Sequence, residues 1–107
     1  MKLYIYMMPN CKTCQSRSDY HELLSRTLLD MGIESVAVEV GEIDGKMYLP
    51  FEQHDSLCRK KDNPMAYSTP SYIIDVDDAA AKLADPSMYS DSNEYAQYIL
   101  DTMKQMQ

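Results

Sequence analysis

Cys11 and Cys14, in "MPNCKTCQSR" at residues 8–17, stand three positions apart. A pair at that spacing can hold a metal ion, close a disulfide that staples a small fold, or exchange disulfides with a substrate. The chain has three cysteines, and an odd count suits a full disulfide framework poorly. The opening "MKLYIYMMPN" is too short an apolar run for a secretory leader, since Pro9 and Asn10 stop it. The expected location is therefore the cytoplasm, where thiols stay reduced and structural disulfides are rare. That sets the staple aside and leaves metal or chemistry.

The metal reading draws on Cys58. Cys11-x2-Cys14 with His54-x3-Cys58 composes a formal Cys3His set, with His54 and Cys58 on one helix face, as zinc ligands often are. Taken singly, Cys58 reads as a small buried hydrophobe. His21 and His54 read as partly exposed helix residues.

The chemical reading depends on the elements that hold the pair. "KLYIYMM" is apolar and aromatic throughout, the pattern of a strand buried on both faces. After the cysteines, Tyr20, Leu23, Leu24, Thr27, Leu28 and Met31 fall at steps of three and four, which predicts an amphipathic helix closed by Gly32. "IESVAVEV" alternates β-branched residues and predicts a strand. Strand, helix, strand is a βαβ unit with parallel strands and a right-handed crossover. Cys11 would then lie at a helix N-terminus, where unpaired N–H groups and the helix dipole favour a thiolate. Lys12 adds a positive charge, and Cys14, one turn on, can reach the same sulfur.

The remainder predicts a loop over "GEIDGKMYLP", a short helix over "FEQHDSLCRKKDNP", and a strand over residues 71–76. In the short helix Lys60 and Lys61 fill the last turn, Asn63 caps it and Pro64 ends it. "AAAKLA" is expected to form the second arm of a hairpin, against its alanine-rich helix propensity. A last helix follows over "EYAQYILDTMKQMQ", capped by Asp91 or Ser92. The 107 residues suit one domain, 1–107, that folds without metal or disulfide. A net charge of −7 argues against nucleic acid and anionic membranes as partners. Nine Tyr and nine Met, with one Phe and no Trp, must supply much of the packing. A monomer is expected.

Strand, Cys-x-x-Cys, helix, strand, helix, Thr-Pro, strand, strand, helix is the order of the thioredoxin superfamily. "IYMMPNCKTC" and "STPSYIID" resemble the corresponding parts of glutaredoxins. The resemblance implies an α/β thioredoxin fold, a central mixed four-stranded sheet with flanking helices. It implies a thiol–disulfide oxidoreductase in which Cys11 attacks and Cys14 resolves. It also implies a cis bond before Pro70, with Thr69 offering main-chain groups to substrate and Lys12 and Thr13 completing the substrate contact. No cofactor is required. The implied partners are disulfide-containing proteins, with glutathione as candidate co-substrate and either glutathione or a thioredoxin-reductase-type flavoenzyme as reductant. The chain departs from glutaredoxins in having Lys12-Thr13 between the cysteines rather than Pro-Tyr. It also has no Gly-Gly pair after the third strand, in "DVDDAAAKLADP". A Cys3His zinc-stabilised binding module and a non-catalytic thioredoxin-like adaptor are the alternatives.

Overall fold

In a computed structural model of the chain, residues 1–44, 46–58 and 68–107 are described. The strands are β1 (Lys2–Met7), β2 (Glu34–Glu39), β3 (Gly41–Ile43), β4 (Lys46–Tyr48), β5 (Ser71–Val76) and β6 (Ala79–Lys82). The helices are α1 (Lys12–Ser16), α2 (Ser18–Asp30), α3 (Glu52–Cys58) and α4 (Ser92–Met106), with a 3-10 turn at Pro86–Met88. The capping expected of Lys60, Lys61, Asn63 and Pro64 lies outside the described residues.

The main sheet has the order β2-β1-β5-β6. β1 and β2 are parallel, as a βαβ unit requires, while β5 runs antiparallel to β1 and β6 to β5. The result is an α/β chain with a mixed four-stranded sheet and flanking helices. Strand alternation divides the core in two. Leu3 and Ile5 of β1, with Tyr72, Ile74 and Val76 of β5, turn to one face and bury Leu24 and Leu28 of α2 and Tyr95, Ile99 and Met103 of α4. Tyr6 and Ile73 turn to the other and meet Val40, Leu49 and Cys58.

Two local expectations change. The single helix after the cysteines is two, because the chain turns at Arg17. The loop over 41–50 contains the β3–β4 hairpin, whose turn holds Asp44 at φ 53°. "AAAK" forms the expected hairpin arm despite its propensity: pairing from Val76↔Ala79 to Ile73↔Lys82 satisfies its backbone, and its half-buried Ala80 and Ala81 fit the sheet. α2 ends as expected, with Gly32 at φ 81° just past its cap. Asp91 caps α4 through the N–H of Glu94. Among the described residues no helix is long and apolar enough to cross a membrane.

Antiparallel pairing of β1 with β5 carries one functional consequence. Tyr6, near the end of β1, faces Ser71, the start of β5. The loop after β1 and the loop before β5 therefore emerge at the same end of the sheet. The first carries Cys11 and Cys14; the second carries Thr69 and Pro70.

Candidate functional site

Cys11 is the N-cap of α1. The N–H of Cys14 donates to Cys11 Sγ at 3.0 Å, and the Cys11 N–H donates back to Met8 O at 3.1 Å, fixing the turn. Cys11 and Cys14 are disulfide-bonded, with Cα atoms 5.2 Å apart. They differ in access: Cys14 is 5% exposed, Cys11 only half-buried. Across the gap between the loops, Cys11 Sγ lies 3.4 Å from Thr69 O. The Thr69–Pro70 bond is cis. Lys12 and Thr13 are exposed on the first turn of α1, Thr69 is half-buried and Pro70 buried. The six residues of the exchange reading thus gather at one end of the sheet, while His54 and Cys58 of the metal reading lie in the core.

Two depressions flank the pair. One, of about 590 Å³, runs past Thr13, Thr69, Pro70, Tyr72 and Asp85. The other, of about 400 Å³, lies against Cys14 and is lined by Met7, Met8, Pro9 and Val38.

A polar cluster that sequence reasoning missed borders the larger depression through Tyr72 and Asp85. Arg17, at the break between α1 and α2, donates to both carboxylate oxygens of Asp85, at 2.9 and 3.1 Å, and to Tyr72 Oη at 3.5 Å. Tyr72 Oη also meets His21 Nε2 at 2.5 Å. Burial pushes the Asp85 carboxyl up, but hydrogen bonds from Arg17 and Ser87 outweigh it and hold the group down at about 2. Burial, helped by the Arg17 charge, lowers the His21 pKa, so this histidine favours its neutral form. The expectation of a partly exposed His21 fails because a hydrogen-bond partner waits for it inside. Its spacing from Leu24 and Leu28 was the available signal.

His54 is likewise buried, at 0% exposure, rather than partly exposed. Its Nδ1 pairs with the Tyr6 hydroxyl and its Nε2 with Asp75 Oδ2 at 3.2 Å. Cys58 is buried as expected, in the cluster with Tyr6, Val40, Leu49 and Ile73, and burial pushes its thiol up. The Cys3His set is therefore not assembled: its first two sulfurs are bonded to each other and the ring nitrogens of its histidine are engaged. Among the described residues no group of three or more His, Cys, Asp or Glu side chains is placed to hold a metal ion.

No family model, no curated protein and no solved structure matches the chain. The functional reading rests on the site alone.

Proposed function

We propose that the chain is a thiol–disulfide oxidoreductase of thioredoxin-like, glutaredoxin-like fold, reducing protein or glutathione mixed disulfides through Cys11 and Cys14. One observation carries the reading: an accessible sulfur and a buried one, a helical turn apart, at bonding distance beside the Thr69–Pro70 loop. The accessible Cys11 attacks as thiolate. A sulfur that receives the Cys14 N–H is better stabilised as an anion than as a neutral thiol. Attack on a substrate disulfide breaks its S–S bond, releases one substrate thiolate and leaves a mixed disulfide on Cys11. The Cys14 thiolate then attacks Cys11 Sγ, expels the second substrate thiolate and closes the Cys11–Cys14 disulfide. Two electrons pass to the substrate, and glutathione or a flavoenzyme-linked dithiol restores the pair. Thr13, Thr69 and Pro70 line the depression where the substrate chain would lie, with Lys12 exposed next to Thr13 on the first turn of α1.

The two cysteines must then fail differently. Cys11→Ser abolishes exchange and forms no adduct. Cys14→Ser still attacks but cannot resolve, and accumulates a mixed disulfide visible as a mass increase that dithiothreitol reverses. Equal inertness of both variants, with the fold retained, would sink the proposal.

A further inference from the structure

The depression against Cys14 continues around the edge of the sheet. From Met7, Met8 and Val38 it passes over Pro9 into a second hollow of about 370 Å³ bounded by Asn10, Glu39 and Glu42. Its floor is methionine and proline. Its rim is acidic: Glu39 ends β2 opposite Met7, and Glu42 stands in the β3–β4 hairpin, both exposed. Among the described residues neither carboxylate is in an ion pair. β2 is also an edge strand, and among the described residues no strand pairs with its outer side, where an extended chain could add.

The geometry points to a specificity surface for one class of substrate: an extended protein segment with an apolar side chain beside its cysteine and Lys or Arg further out. This rests on the exchange activity proposed above. The apolar residue sits on Met8, whose unbranched thioether adapts to varied shapes. The basic residue meets Glu39 and Glu42, two negative charges that no described residue neutralises. Glutathione fits this face poorly, being anionic and lacking an apolar side chain. A second copy fits poorly too, since each chain carries a net charge of −7 and would turn the same acidic rim on its partner.

The test uses the full chain and two sets of peptide disulfides alike but for flanking Leu-Lys or Leu-Glu. Reduction is followed with dithiothreitol as the terminal reductant. Each rate is taken relative to hydroxyethyl disulfide on the same protein, which cancels general changes in thiol reactivity. At low ionic strength kcat/KM should favour the basic peptide about tenfold, and the Glu39→Gln/Glu42→Gln protein should reduce this to about twofold or less. Fluorescence anisotropy with Cys→Ser peptides gives a readout free of chemistry, in which the basic peptide should bind about fivefold tighter to the wild type only. Equal rates and binding for the two peptides, or a preference that survives the double substitution, overturns the inference. So does self-association in sedimentation that the basic peptide does not displace, which assigns the face to a second copy. If hydroxyethyl disulfide is not reduced but charge-dependent binding persists, the exchange reading falls and the docking surface stands.

Discussion

Replacing Arg17 by Met tests whether the polar cluster of Arg17, Asp85, Tyr72 and His21 is a working part of the fold. The substitution keeps most of the stem and removes the charge. Two oxygens of Asp85 and the Tyr72 hydroxyl then lose a donor. The bare Coulomb attraction of the pair at 2.9 Å is ~1.4 kcal/mol with the dielectric of water and ~6 kcal/mol at an effective value of 20. Side-chain exposures of 24% for Arg17 and 40% for Asp85 place it toward the first limit. Desolvation and side-chain ordering reduce it further. Bidentate geometry keeps it above a typical surface pair, so the coupling should be about 1 kcal/mol. The assay is a double-mutant cycle, Arg17→Met with Asp85→Asn, read by urea unfolding at neutral pH. Each single variant should lose about 1–2 kcal/mol, or ~5 °C in Tm per kcal/mol. The sign with pH is fixed. Asp85 has a depressed folded pKa, so its contribution is full above the unfolded carboxylate value of about 3.9 and is lost as pH falls toward about 2. The wild type and Arg17→Met should therefore converge in stability as the medium is acidified through that window. Coupling indistinguishable from zero, or a difference that persists through it, refutes the reasoning.

Two further outcomes follow. Brief alkylation of the reduced protein at neutral pH should label Cys11 before Cys58, whose thiol is buried and pushed up. Lys12→Glu should slow labelling of Cys11 about twofold to threefold by replacing an attracting charge with a repelling one, and Cys58 reacting first would contradict the site. His21 has a lowered pKa, so below about 6.5 the unfolded chain takes a proton that the folded one resists, and stability falls as pH drops from there. His21→Gln should flatten that part of the stability–pH curve, and an unchanged slope in the variant would remove His21 as its source.

The chain states its elements of regular structure openly where one physical signal acts alone. In residues 71–76 Tyr72, Ile73, Ile74 and Val76 are β-branched or aromatic, and the segment forms the strand read from it. The parallel pairing of β1 with β2 follows from a helix between two strands. Where signals compete, local reading falters. The glycines of "GEIDGKMY" suggested a loop, although Asp44-Gly45 between short apolar runs is also a hairpin signal. In α2 the count of apolar residues favoured Leu23, which is 53% exposed, over His21, which is 8% exposed. A polar side chain goes inside when a partner 51 residues away accepts it, and no local window contains that partner. Arg17 escaped for the same reason, because Asp85 lies 68 residues on.

Those distant pairings have a shared design. On one face of the sheet Tyr72 of β5 holds His21 of α2; on the other Tyr6 of β1 holds His54 of α3. Each histidine has charged company, Arg17 and Asp85 for one and Asp75 for the other. Leucine and methionine contacts tolerate small sliding of a helix over a sheet, whereas a buried hydrogen bond is directional and costly to leave unmade. Both tyrosines lie toward the end of the sheet that bears the cysteines, since Tyr6 faces Ser71 across the β1–β5 pair and Tyr72 is the next residue. The two bonds therefore set the position of α2 and α3 where it matters most. α2 continues from the turn at Arg17, whose N–H donates to Thr13 O and Cys14 O, so fixing α2 fixes Cys14. Tyr6, in turn, lines a small hollow with Ser68, Thr69 and Ser71, so fixing Tyr6 supports the loop that meets Cys11. The exchange proposed for Cys11 and Cys14 needs one sulfur presented and the other sheltered within bonding reach, and the two tyrosine–histidine bonds steady the elements on either side of that pair.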